Sequence, residues 1–579
     1  MKQILVLTAL ISLFFGCTSL KDREDSPAFK DLTNTFLEEN WKTHPGYASA
    51  LGLTKYDAIL EVPNEETRNK RIAFCEKYLA KFEGYTEDDL SLSQTTDRKL
   101  IVNALKSRLW RYKEFKSYEW NPAQYNIGSS VSTVLESQKR PLEDRLKDIG
   151  EKLLKAQEYY QAAKNNIKKP TKEHTQLAIT QTKGLIKYLK GDVRKKIKKS
   201  KLSSREKSTV RQRVDSAASA AQRYLTFLRG VLSKPKKVGG FRSFRIGKDH
   251  YAKKFEFDLQ IESNPEELYK KALETKRDIR SKMFETAIAL YPKYYGEKLP
   301  PHDRQKVITQ IINKVSKKHA KASEFVDTVR KQIPELTKFV NEKNILSLDP
   351  SRPLKVRETP LYQRGFAGAS VDSPGPFDKT RDTFYNVTPL DNKTKKQQES
   401  WLREYNDYTL QILNIHEAIP GHYVQLVYSN KSPSLIKSIF GNTPMIEGWA
   451  VYTERMMLEE GYGEGSKELW LMYYKWFLRV VTNTIIDYEI HNKDLSKKEA
   501  MRLMTVDAFQ EKAEASGKWT RATVSQVQLA SYFAGFSEIY ELRQTIKDEE
   551  EEDFNLKEFH ETFLSFGSAP IKEIKALML

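Results

Sequence analysis

Between residues 416 and 422 the chain reads His-Glu-Ala-Ile-Pro-Gly-His. Two imidazoles and a carboxylate in so short a span are suited to a divalent metal. Hydrolysis at zinc needs three protein ligands, an open position for water, and a further carboxylate to take that water's proton. In the common HExxH helix the two histidines stand one turn apart, and the glutamate beside the first reaches the water. Here His416 and His422 are six residues apart. On an ideal helix six residues turn through roughly 600°, which leaves the two rings about 120° apart. A straight helix would not bring both to one ion. Pro420 and Gly421 lie between them. Proline removes a backbone hydrogen bond, and glycine accepts dihedrals closed to other residues. The string therefore predicts a break that turns His422 back toward His416, with Glu417 as the candidate general base.

The third ligand is expected downstream, on another helix. Glu447-Gly448-Trp449-Ala450-Val451-Tyr452-Thr453-Glu454 opens a strongly helical run. Glu447 and Glu454 are seven residues apart, nearly on one face, and either carboxylate could reach the metal. Glu447 is preferred because it follows His422 by 25 residues, a separation that resembles that of zinc peptidases with a glutamate third ligand. Glu454 is then expected to orient a histidine from behind. The chain has nine histidines, and only His416, His422 and His491 fall between 400 and 500.

The elements that must position these residues are mostly helices. From about residue 29 to 345 apolar residues recur three and four apart, with charges between them. The clearest case is 264–291. Asn264 is a cap, Pro265 suits the first turn, and Glu266 and Glu267 suit the positive end of the helix dipole. Leu268, Ala272, Leu273, Ile279, Met283 and Ala287 then mark one apolar stripe. Composition shifts at 346–395, where prolines and glycines cluster, and stretches such as Thr383–Val387 read as extended. The helical pattern returns near 398. The fold class is mainly α, with a small β element near 355–390. The expected organisation is a signal peptide at 1–16, a lipidated tether at 17–28, a helical region at 29–345 and a metal-site region at 346–579. The last two are expected to pack as one cleft-forming unit.

Residues 1–17 place one lysine, a short apolar core, a glycine and Cys17 in series. The apolar core is too short to span a bilayer and reads as a signal peptide. The ending Phe-Phe-Gly-Cys resembles a bacterial lipobox, which implies a lipid on Cys17, attachment to the membrane through it, and a place in the cell envelope, with the outer membrane favoured; the alternative is a periplasmic or secreted protein. With Cys17 in the signal and Cys75 the one other cysteine, a disulfide framework is excluded. The formal charge of +20 reads as a lysine-rich solvated surface, although a basic run spans 191–201 and an acidic run spans 548–553. No familiar nucleic-acid motif accompanies the lysines, and no nucleic-acid partner is expected.

On these residues the chain resembles the DUF885 family of bacterial proteins. The resemblance rests on His416–Gln425 and Glu447–Glu454. Weaker matches come at Pro45, Ala48, Leu51-Gly52 and Tyr56-Asp57, and at Gln528-Leu529-Ala530-Ser531-Tyr532 with Gly535. It implies a large, clefted helical fold similar to zinc peptidases with a glutamate third ligand, one Zn2+ per chain on His416, His422 and Glu447, and Glu417 as base. Such peptidases supply a tyrosine or histidine to the oxyanion; Tyr532 is the first candidate and His491 the second. Arg521, by its place before the Gln528 motif, is a candidate to hold a substrate carboxylate. The Thr383–Val387 stretch, with Tyr385, is a candidate to line the cleft and pair with a peptide in strand fashion. The chain departs from the family's pattern at Asn483, where aspartate is frequent, and at Gln526-Val527, where Pro-Gly is common. The expected activity is hydrolysis of a peptide or small amide. Alternatives are a non-peptidase amide hydrolase on the same scaffold, or an envelope lipoprotein that binds with a lapsed site.

Overall fold

A computed structural model of the chain describes residues 23–360, 368–378 and 381–579. Cys17 and the expected signal lie outside the described residues. The end of the expected tether packs on the body: the Arg23 guanidinium donates to the Glu87 carbonyl at 2.8 Å, and the Ser26 backbone N–H donates to Gln94. Helices α1 (Pro27–Thr43), α2 (Glu65–Glu83) and α3 (Leu92–Trp110) follow.

Two large cores organise the helices. One is built by α4 (Leu142–Leu154), α5 (Ala156–Asn166), α6 (Lys172–Tyr188), α7 (Arg194–Lys199) and α8 (Ser204–Ser233). Along α8 the residues Val210, Val214, Ala217, Ala221, Tyr224 and Leu228 return to one face every three or four positions, and all are buried in this core. The other core is larger and draws its residues from Phe29 to Ile574. It crosses the expected boundary at 345/346, so the two regions share one interior. The separate core of residues 125–228 is a subdivision that periodicity does not disclose, since both sides of it are helical.

Helix α9 (Pro265–Tyr295) bears out the clearest sequence reading. The Asn264 side chain accepts from the N–H groups of Glu266 and Glu267, and Glu267 reaches back to the Asn264 N–H. This capping box satisfies donors that the first turn would otherwise leave unpaired. The expected stripe is buried apart from Leu273, which is half-buried. Helix α10 (Phe325–Glu342) leads into a three-stranded sheet of β1 (Leu354–Glu358), β2 (Ala369–Asp372) and β3 (Thr383–Val387). Its order is β1-β3-β2, with β1 parallel and β2 antiparallel to β3.

The chain then supplies α11 (Asp407–Glu417), α12 (His422–Ser429), α13 (Thr443–Glu459), α14 (Lys467–Asn492), α15 (Lys512–Ala522) and α16 (Ser531–Glu550). Helices α13 and α16 pack along one another, as do α9 and α14. The α13–α16 crossing depends on two glycines. A Cβ on Gly535 would lie 1.8 Å from the Pro444 carbonyl oxygen, and one on Gly448 would lie 2.3 Å from the Gly535 carbonyl carbon. Backbone meets backbone here, so no side chain can rotate away to make room. We therefore expect Gly535→Ala to lose about 1–3 kcal/mol of stability. Gly517→Ala, in a helix with nothing within 4 Å of the added carbon, is expected to be neutral or to gain up to about 1 kcal/mol. Urea midpoints measure both; a wild-type midpoint for Gly535→Ala would contradict the close crossing.

Candidate metal centre

The expected break is present. Helix α11 ends at Glu417 and α12 begins at His422, with the Ile419–Pro420 peptide cis between them. The Gly421 N–H donates to the Ile415 carbonyl at 3.0 Å. A Cβ on Gly421 would lie 1.9 Å from the His416 carbonyl oxygen, so only glycine fits beneath the end of α11. The Trp449 indole N–H donates to the Pro420 carbonyl at 2.9 Å and ties the break to α13.

This geometry brings His422 round to His416. The two rings stand 4.7 Å apart between centroids and nearly perpendicular, at 85°. Glu447, from α13, joins them: its Oε2 is 3.3 Å from His422 Nε2 and 3.9 Å from His416 Nε2. Ligand atoms of His416, His422 and Glu447 all lie within 4.8 Å of one another. Ligand bonds of about 2.0–2.2 Å around one ion separate neighbouring donors by about 3–4 Å, so this donor set fits a divalent metal. His416 is buried, while His422, Glu447 and Glu417 are half-buried, so the cluster keeps an opening to solvent.

Glu454, the other carboxylate of the pair, takes a different place. Its Oε1 lies 2.6 Å from His416 Nδ1 and accepts from the Trp476 indole N–H at 2.9 Å. It is fully buried behind His416. With Nδ1 turned to Glu454, His416 Nε2 faces the cluster.

The surroundings sort the charges. Burial holds His416 down at about 3, with the neighbouring His422 adding to the effect. Burial would also lower His422, but the hydrogen bond and charge of Glu447 outweigh it and raise this imidazole. Burial alone would raise Glu447; its hydrogen bond to His422, with the charges of His422, His416 and Arg521, brings it down to about 2. Glu417 is raised to about 7 by burial, and the nearby Glu447 charge adds to the rise. Burial carries Glu454 well above the usual carboxylate range, against the indole hydrogen bond.

Tyr532 and Arg521 sit at the rim. Arg521 donates to the Tyr532 hydroxyl at 2.8 Å and to Gln528 Oε1 at 2.7 Å, while Gln528 Nε2 donates to Glu447 Oε1 at 3.3 Å. The Tyr532 ring lies 6.4 Å from that of His416. Gln528 is thus a neighbour of the cluster that spacing did not single out, although it stands one helical turn before Tyr532. Trp476 and Trp449 were likewise missed; Trp449, two residues after Glu447, carried the nearer signal.

Two expectations need correction. His491 lies on α14 stacked on Tyr251 at 5.5 Å, with its Nδ1 facing the Ile246 N–H at 3.4 Å. None of its described contacts reaches the cluster, because α14 turns this stretch toward the Tyr251 helix. Strand β3 lies between β1 and β2, so both its backbone edges are occupied and it cannot pair with a substrate strand. Tyr385 within it is fully buried, and its hydroxyl donates to Asn414 Oδ1 at 2.8 Å. It supports α11 two residues before His416 and does not line an opening.

Fold and cluster together define a large helical protein with a partly open His-His-Glu constellation. The chain matches the family model described as "Bacterial protein of unknown function (DUF885)" over residues 45–578, and it belongs to that family. It is similar to a solved structure from Shewanella oneidensis described as "a putative lipoprotein of unknown function". The two are 47% identical, with 96% of this chain and 100% of that chain covered, and the TM-score is 0.82. A "putative lipoprotein" from Colwellia psychrerythraea shares the fold at 18% identity, with a TM-score of 0.77 over 94% of this chain and 98% of that one. No curated protein matches the chain. No described helix is long and apolar enough to cross a membrane.

Because the break depends on Gly421, Gly421→Ala is expected to displace His422. Zinc content after equimolar loading should fall, and stability should drop by about 1–3 kcal/mol. Unchanged zinc content together with an unchanged melt would show that the break tolerates a side chain.

Proposed function

We propose that this protein is a zinc-dependent hydrolase of peptide-type amide bonds. The observation that carries the reading is the convergence of His416, His422 and Glu447 from three helices on one point, with Glu417 next in sequence to the first ligand. His416, His422 and Glu447 would hold the ion. When bound, zinc polarises a carbonyl oxygen and lowers the pKa of water toward about 7.

The remaining chemistry belongs to the chain. The Glu417 carboxylate takes the proton of the attacking water and delivers it to the leaving nitrogen. Glu454 keeps the proton of His416 on Nδ1, so that Nε2 presents its lone pair to the cluster. The Tyr532 hydroxyl, oriented by Arg521 and Gln528, is the donor for the developing oxyanion. Arg521 adds positive charge at the same rim, suited to a substrate carboxylate. We read the chain as an envelope protein anchored by a lipid on Cys17. The Phe-Phe-Gly-Cys ending and a 47%-identical relative described as a "putative lipoprotein" support this.

Zinc in hundredfold excess over its Kd should stabilise the protein by about 2.7 kcal/mol, and His416→Ala, His422→Ala or Glu447→Ala should abolish the shift. Glu417→Gln should keep the zinc and lose at least about a hundredfold in turnover, scored on dipeptides, oligopeptides, cell-wall peptides and small amides. Full activity in Glu417→Gln would exclude this mechanism. Cleavage confined to small amides would retain the metal site and exclude peptides as the substrates.

A further inference from the structure

The +20 charge of the chain is not spread evenly. Residues 122–238, the unit with its own core, hold 28 Lys and Arg against 10 Asp and Glu, a balance of +18. The rest of the chain, with 69 basic and 67 acidic residues, is close to neutral. Within the unit the surplus concentrates where α6 runs through a π-helical turn at Leu189–Val193 into α7. Leu185, Leu189, Val193 and Ile197, each four residues on from the last, point into the core. Lys187, Lys190, Lys195, Lys196, Lys198 and Lys199 point to solvent and are all exposed. Among the described residues none of these six has an acidic partner, whereas nearby Arg194 is paired with Asp215.

A solvated surface does not require six unpaired lysines within thirteen positions of a chain that balances its charges outside this unit. Like charges at this density repel one another, and contact with an anionic surface relieves that repulsion. We propose that the helical unit 122–238 is an electrostatic docking module whose lysine face, 187–199, rests on anionic lipid headgroups. The proposal shares with the functional reading only the anchor on Cys17, not the metal site. Between Cys17 and Arg23, the first described residue, there are six residue steps, which at full extension reach about 20 Å. A lipid there keeps the body within reach of a bilayer, where each surface lysine near anionic headgroups is worth about fivefold in partitioning. The module would then fix which face of the body turns to the membrane. Headgroups need charge alone. Single-stranded nucleic acid also needs stacking platforms, and the one aromatic residue in 187–199, Tyr188, is buried.

The test uses residues 18–579, which include every described residue and carry no acyl group. Vesicles of phosphatidylcholine, alone or mixed with phosphatidylglycerol, are sedimented with the protein, with duplex DNA as competitor. We expect binding only to the phosphatidylglycerol vesicles, falling at least tenfold, approximately, as salt rises from about 50 to about 300 mM. Replacing Lys195, Lys196, Lys198 and Lys199 by Glu should weaken it by at least about a hundredfold, with the melt and zinc content unchanged. The same four positions replaced by Gln give the measurement if the Glu form does not fold. Equal binding to both vesicle types, or wild-type binding by the Gln form, would overturn the proposal. So would displacement from vesicles by DNA, or salt-sensitive self-association through the acidic run 548–553 in place of vesicle binding. Each of these outcomes would leave the zinc site untouched, and loss of the zinc site would leave this proposal standing.

Discussion

The close packing of Gly421 against the carbonyl end of α11 is the constraint on which the site depends. Six residues separate His416 from His422, and a continuous helix would point them apart. The chain resolves this by stopping α11 at Glu417, turning through Pro420 and Gly421, and starting α12 on His422 itself. A side chain at 421 would occupy the space of the His416 carbonyl. The indole of Trp449 then fastens the turn to the helix that brings Glu447. One local break therefore sets the direction of both imidazoles and their distance from the carboxylate.

The surrounding helices make that arrangement rigid. Helix α13 presents Glu447 and Glu454 seven residues apart, one beside the histidines and the other behind His416. Its crossing with α16 at Gly448 and Gly535 is close enough to bring Tyr532 to the same rim. Arg521 and Gln528 link that tyrosine to Glu447. The result is a half-buried cluster in which the carboxylate facing the histidines is favoured as the ion by its hydrogen bond to His422, while burial disfavours the ionised form of the one behind. The side chains of the cluster are thus positioned by packing as well as by their own hydrogen bonds.

Much of this was legible from residue types and spacing. The conflict between a six-residue separation and helical periodicity pointed to the break at Pro420 and Gly421, and the cap at Asn264 marked the start of α9 to the residue. The pairing of Glu447 with Glu454 was legible because seven residues return to one helical face. What stayed hidden were contacts between elements distant in sequence. Trp476 reaches Glu454 from another helix, and nothing local to Trp476 records it. His491 resembled a site residue by type and position in the chain, but the direction of α14 takes it to Tyr251. Thr383–Val387 read as extended, strand or loop, and is a strand, yet its place in the middle of the sheet is set by β1 and β2, which the strand's own residues do not encode. The second core at 125–228 was invisible for a similar reason, since helical periodicity continues across its borders.

Zinc-edge X-ray absorption on the purified, zinc-loaded protein tests the central claim most directly. The account predicts a first shell of nitrogen and oxygen alone at about 2.0–2.2 Å, with outer scattering from two imidazoles. A sulfur shell at about 2.3 Å, outer scattering from fewer than two imidazoles, or a protein that takes up no zinc would contradict it.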